Sequence, residues 1–168
     1  MVEPYSRREH LYLSPTLDAR TRFYSEVDRT VVGTIRRGVL FVMAFRSGLA
    51  RLAFAELKRV LEALDPGGYL ELVVVDTDGC PDLYDLPEFA GKLAGAGEAA
   101  WVRDGQIVRT SGLGYHPECF EPYTRQLLNE CRAEPAAAKA RGPACPRGSR
   151  SRPHHPGGRP TGELRGRG

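Results

Sequence analysis

The sequence predicts one α/β domain: a central mixed β-sheet flanked by helices, in the order βαβαβαββα. Three observations carry this reading. Two strand-length apolar runs, 39–45 and 70–75, bracket a strongly amphipathic stretch, and an Asp-Gly dipeptide at 104–105 joins two β-rich segments. The chain has 168 residues and 41% hydrophobic content, enough for one ordinary core and too little for two.

The elements follow in chain order. Residues 22–24 read as a short strand. Ser25 is placed as the N-cap of a first helix, with Glu26 and Asp28 adding negative charge to its first turn. Val27, Val31 and Ile35, spaced four apart, would form its buried face, and Arg36, Arg37 and Gly38 its exit. The run 39–45 is continuously apolar and rich in β-branched residues, which suits a central strand covered on both faces. Ser47 then caps the clearest helix in the chain. Its apolar stripe is Leu49, Leu52, Ala53, Leu57, Val60, Leu61 and Leu64, and Pro66, Gly67 and Gly68 end it. Residues 70–75 are a second buried strand, closed by Asp76 and Asp78. Strand, helix and strand joined by short connections make the two strands parallel neighbours with a right-handed crossover. Between 80 and 94, Pro81 and Pro87 predict a turn followed by a short helix. Residues 99–103 and 106–110 pair as a hairpin across Asp104-Gly105. A last helix starts at Pro117 or Pro122, ends near Arg132 and buries Phe120, Leu127, Leu128 and Cys131. Trp101, Tyr84, Phe89, Tyr115 and Tyr123 are read as packing residues.

This divides the chain into an N-terminal arm, 1–20, a domain, 21–132, and a tail, 133–168. The tail is rich in Arg, Pro and Gly and offers few side chains to a core, so it is expected to be disordered. From Pro135 onward eight Lys or Arg face one acid, Glu163, a charge of +7; with +3 overall, residues 1–134 carry −4. Such a tail can attract nucleic acid through phosphate contacts. It holds no aromatic residue on which a base could stack, so a solvated tail without a selected role is the favoured expectation. The longest apolar run spans seven residues, against the roughly 20 that a membrane helix needs. The first residues, MVEPYSRREH, lack the apolar stretch of a secretory signal, and a cytoplasmic location is expected.

Few residues suggest chemistry. Cys80, Cys119, Cys131 and Cys145 are irregularly spaced, without a C-x-x-C or a zinc-ligand pattern, and are expected to be reduced. Asp76, Asp78, Asp82 and Asp85 lack the glycine and terminal glutamate of a calcium loop, which leaves turn and cap roles. His154 and His155 have no further ligands nearby. No metal or cofactor is expected. Ser47 has no histidine spaced to act as its base, so capping is favoured over nucleophilic attack.

The order of elements, with a parallel first half, an antiparallel hairpin and a terminal helix, resembles the thioredoxin fold over about residues 21–131. The resemblance implies a three-layer sandwich. In thioredoxins a buried strand ends in Trp-Cys-Gly-Pro-Cys at the start of the longest helix; here the same place reads Arg46-Ser47-Gly48-Leu49-Ala50, and only the glycine matches. The family's cis-proline before the hairpin falls at Gly97, and its buried acid at Phe41. A dithiol oxidoreductase needs a low-pKa thiolate at a helix N-terminus and a second thiol one turn away. Ser47 and Ala50 supply neither.

The resemblance therefore implies a non-redox thioredoxin-like domain acting as a protein-binding, scaffold or chaperone-like assembly module. Its groove for extended peptide would lie between Arg46, Ser47, Gly48 and Leu49 on one side and Gly97 and Glu98 on the other, with Arg46 favouring an acidic partner. Two alternatives stand beside it. One is a single-cysteine thiol enzyme, peroxidase- or glutathione-linked, using Cys80; the other is nucleic-acid association through the basic tail.

Overall fold

A computed structural model gives the structure of residues 8–140, with side chains described through 133. Five strands form one sheet: β1 (Thr21–Tyr24), β2 (Arg37–Met43), β3 (Glu71–Asp76), β4 (Ala99–Arg103) and β5 (Gln106–Thr110), in the spatial order β1-β3-β2-β4-β5. Both β1 and β2 run parallel to β3, β4 is antiparallel to β2, and β5 is antiparallel to β4. The continuous apolar runs are central and covered on both faces, as their lack of alternation predicts: Val39, Leu40, Phe41, Val42 and Leu72, Val73, Val74, Val75 are all buried. The hairpin turns at Asp104 and Gly105, both at positive φ, the conformation that Asp-Gly favours.

Three α-helices cover one face: α1 (Pro15–Asp18), α2 (Gly48–Leu64) and α3 (Phe120–Ala140). Their core holds Phe41, Phe54, Leu57, Leu61, Phe120 and Leu127, together with Trp101. Trp101 is fully buried, and its indole N–H donates to Thr124 Oγ1 at 3.0 Å. The stripe of α2 is rotated from the expected one. Ala50 and Phe54 are buried, whereas Leu49 and Leu52 are 50% and 59% exposed. Tyr84 and Tyr115, expected to pack, are also exposed.

The opposite face holds no α-helix among the described residues. Where the sequence predicts a first helix, a 3-10 turn spans Arg29–Thr34, capped by Asp28, whose carboxylate accepts the Thr30 N–H at 2.8 Å. Its residues are β-branched Thr and Val around Gly33, poor material for an α-helix. Ser25 caps nothing; its carbonyl lies against Gly79, where an added Cβ would sit 1.7 Å from the oxygen. Within 80–94 a 3-10 turn spans Pro81–Asp85, and the short helix expected after it is replaced by turns. Val31, Val32, Ile35, Cys80, Leu83 and Phe89 nonetheless close this face over Leu40, Val42, Val73 and Val75.

Two boundaries move. The segment read as an arm gives Leu11 and Leu17 to the core, and Lys58 Nζ donates to the carbonyls of Leu11 and Tyr12, each at 2.9 Å. At the other end α3 continues past Arg132 to Ala140, so 133–140 are helical where a disordered tail is expected. The run of alanines there has the highest helix propensity. The rest of the tail, 141–168, including Cys145, His154 and His155, lies outside the described residues.

Candidate functional site

The residues singled out in the sequence gather outside the carboxyl ends of β2 and β3, where open α/β sheets place their ligands. Residues 44–47 leave β2 and enter α2. Ser47 is the N-cap: its Oγ accepts the Ala50 N–H at 3.2 Å, and its φ and ψ, −90° and 123°, are the extended values of a cap. Gly48 and Leu49 are exposed in the first turn, but Ala50 is fully buried. Arg46 projects to solvent and pairs with Asp78 at 2.7 Å, with side chains 78% and 44% exposed. An exposed pair of this kind contributes about 0–1 kcal/mol and exchanges partners readily.

The second side of the expected groove is arranged differently. Gly97 is buried with φ +95°, and a Cβ there would stand 2.5 Å from Ala53 Cβ and 3.1 Å from both Ala50 Cα and Phe41 Cζ. The close approach that this small residue permits is made by α2 itself. Glu98 is fully buried and points inward. Its Oε1 accepts the N–H groups of Ala94 at 2.9 Å and Gly114 at 3.2 Å, and Oε2 accepts that of Ala96 at 3.2 Å. Its carbonyl also accepts the Val42 N–H at 2.9 Å, extending the β2–β4 pairing by one bond. Glu98 thus ties loop 94–98 to loop 111–116 and to β2, and three backbone donors satisfy a buried carboxylate.

Sequence reasoning missed loop 111–116. It presents Leu113, 52% exposed, and Tyr115, 38% exposed, beside Gly112 and Gly114, both at positive φ. An apolar residue between two glycines at a strand-to-helix junction, outside any buried periodicity, is the signal available for it. The clasp of Glu98 has a signal too: an acid directly after Gly-Ala-Gly, at the mouth of a strand apolar on both faces.

Cys80 and Cys119 show no activation. Cys80 is fully buried, and that burial pushes its thiol up, with Asp76 and Glu26 adding to the rise against a hydrogen bond from the Val27 backbone. Burial also raises Cys119. Cys80, Cys119 and Cys131 are not disulfide-bonded among the described residues. Asp76 is buried and accepts the Asp78 N–H at 3.1 Å, a capping role. No helix among the described residues is long and apolar enough to cross a membrane.

No protein-family model and no curated protein matches the chain. Among solved structures it is similar to a thioredoxin from Trypanosoma brucei brucei, at 17% identity and TM-score 0.44 over 67% of this chain and 95% of that one. It is similar to desulfothioredoxin from Desulfovibrio vulgaris Hildenborough at 15% identity and TM-score 0.45, covering 71% and 97%. A putative oxidoreductase with a thioredoxin fold gives 11% identity and TM-score 0.48, covering 67% and 99%. Such values concern the fold alone. The fold is read from the topology instead: with β3 and β2 parallel at the centre, β4 and β5 as an antiparallel hairpin, and the terminal helix beside α2, the described residues have a thioredoxin-like α/β fold.

Proposed function

We propose that this domain is a non-redox protein-binding module, of the scaffold or chaperone-like kind, that takes an extended segment of a partner along loops 45–49 and 111–116. One observation carries the reading. At the position where thioredoxins hold their two thiols, the Ser47 hydroxyl is committed to capping α2 and Ala50 is sealed beneath Gly97. Leu49, Leu113 and Tyr115 offer exposed apolar contacts on this edge, and the loosely paired Arg46 offers a charge to an acidic residue. Gly97 and Glu98 enter the proposal as the frame of the groove, since both are buried.

The single-cysteine reading loses its support, because a nucleophilic thiol needs exposure and a depressed pKa, and Cys80 has neither. Association of the basic tail with nucleic acid concerns residues largely outside those described. A cytoplasmic location is included in this proposal.

The test has two arms. The chain should not reduce insulin above a buffer blank. Extended peptides alternating apolar and acidic residues should shift the amide resonances of 45–49 and 111–116, and Arg46→Glu with Leu49→Asp should weaken that binding about tenfold while melting stays unchanged. Insulin turnover that any one cysteine substitution abolishes would overturn the reading, as would a peptide panel that leaves both loops unshifted.

A further inference from the structure

β5 is an edge of the sheet: it pairs with β4 on one side and, among the described residues, with no strand on the other. The hairpin determines which backbone groups are left over. Arg103 and Gln106 flank the two-residue turn as a hydrogen-bonded pair, so the next pair, Val102 and Ile107, is of the non-bonded kind. Ile107 therefore turns its N–H and C=O away from β4, and no other described residue takes them. The usual guards of such an edge are weak here. β5 contains no proline, and Arg109 is drawn onto α3 by Glu130 at 2.8 Å.

Two cavities run along this edge on the turn-covered side of the sheet. One, of about 200 Å³, is lined by Glu88, Lys92, Ile107, Val108, Arg109 and Thr110; the other, of about 360 Å³, continues from Glu88 and Ile107 to Gln106 and Gly105. Glu88 thus reaches the Gln106 half of the strand, whereas Lys92 lines only the cavity toward Thr110. Neither side chain has an ion-pair partner among the described residues. Ile107 packs on the turn-covered core and Val108 on the helical one, both half-buried, so each side of the edge offers an apolar contact.

Charge complementarity selects the strand that fits. A two-fold axis through Val108, the middle of β5, lays a second copy antiparallel, with Gln106 opposite Thr110 of that copy. The same axis carries Glu88 of each copy to Lys92 of the other. We propose that β5 pairs antiparallel with β5 of a second copy of this chain, joining the two sheets into one and closing two Glu88–Lys92 contacts across the axis. The bulge that leaves Val108 without a partner on β4 keeps the pairing short. One strand and one loop from each copy make a small interface, so the dimer is weak and concentration-dependent. The edge shares no residue with the peptide-binding loops 45–49 and 111–116, and either proposal can fail without the other.

The test is the mass of the full chain by sedimentation equilibrium between about 10 µM and about 1 mM, with amide resonances followed over the same range. Mass should climb from one copy toward two, with shifts at 88, 92 and 106–110. Lys92→Glu and Glu88→Lys each place like charges across the axis, and each should weaken association about tenfold with melting unchanged. Combining the two exchanges should restore it. The proposal is overturned if the chain stays monomeric throughout, if it associates with 106–110 unshifted, or if masses pass beyond two copies, as pairing of β5 with β1 of the next chain would produce. It is equally overturned if neither single variant weakens association or if the double variant stays as weak as the single ones. A chain that stays monomeric while a β-branched pentapeptide shifts 106–110 assigns the edge to a foreign strand and overturns self-pairing.

Discussion

The two faces of the sheet bury similar strand residues but are covered in different ways. On one, α2 and α3 lay regular helices over Phe41, Leu72, Val74 and Trp101. On the other, 3-10 turns and loops bring Val31, Ile35, Cys80, Leu83 and Phe89 down one at a time. A helix commits its whole stripe at once and cannot shift one residue without its neighbours, whereas a loop can settle locally. The helical face is therefore expected to be rigid and cooperative, and the turn-covered face to yield in parts.

Truncating the largest residue on each side tests this most severely. Trp101→Ala removes a fully buried ring that contacts Phe120 and Tyr123 and leaves Thr124 without its indole partner, so destabilisation near the top of the about 3–5 kcal/mol range is expected. Phe89→Ala on the other face should cost nearer the lower end, about 3 kcal/mol, because the surrounding turns can collapse into the space. Hydrogen exchange should then quicken across 77–94 and leave α2 protected. Equal losses by chemical denaturation, with exchange quickening everywhere, would show that the two faces unfold as one.

Gly97→Val probes how tightly loop 94–98 is pressed on the helical face. The added Cβ meets Ala53 at 2.5 Å and the φ of +95° is one that β-branched residues avoid, so a loss of about 2–4 kcal/mol is expected. This substitution measures the frame of the groove and not its affinity. A melting temperature within a degree of the unaltered chain would mean that the loop lifts away from α2 at little cost.

These contrasts also explain what was legible in the sequence. Regular helices and buried strands announce themselves through period and run length, so β2, β3, their parallel pairing, the Asp-Gly hairpin and the Ser47 cap could be read directly. Residues 25–35 show the limit: Val27, Val31 and Ile35 keep helical spacing, but spacing cannot reveal that Asp28 caps a tighter turn or that β-branched residues and Gly33 disfavour an α-helix there. Leu49 and Leu52 mislead for a related reason. Periodicity gives a helix a face without fixing which edge of that face overhangs the sheet. The site was half legible. The cap follows from local chemistry, while Glu98 depends on donors from loops 94–96 and 111–116, which only the tertiary fold brings together.

Ser47→Ala is a smaller probe of the helical face. Losing the side-chain acceptor for the Ala50 N–H should cost about 1 kcal/mol and fray the first turn of α2. Faster exchange confined to that turn is the expected signature. If stability is unchanged and the turn stays protected, another group must satisfy that N–H.

The smallest effect expected is a pH dependence where loop 111–116 meets the helical face. His116 Nδ1 lies 2.9 Å from Glu118 Oε1 and Nε2 lies 2.9 Å from the Leu113 carbonyl oxygen. Both partners are acceptors, so both contacts are satisfied only when both ring nitrogens carry protons. The hydrogen bond to Glu118 accordingly raises the His116 pKa, and the same bond lowers that of Glu118. A group whose folded pKa is raised contributes stability that is fully present below its unfolded value of about 6.5 and is lost as pH rises through the folded value. For Glu118 the direction reverses: its contribution is present above its unfolded pKa and is lost as pH falls through the lowered one. The clasp is therefore tightest in the interval between the lowered Glu118 pKa and the raised His116 pKa, and it loosens as pH rises through the latter and Nδ1 or Nε2 gives up its proton. Because both side chains face solvent, the consequence is local. The Leu113 and Gly114 amides should exchange faster, relative to their intrinsic rates, above the His116 transition than below it. NMR titration of the His116 ring should place its pKa above the ordinary histidine value, and Glu118→Gln should bring it back toward that value. A ring that titrates at the ordinary value in both chains would mean that the contact does not persist in solution.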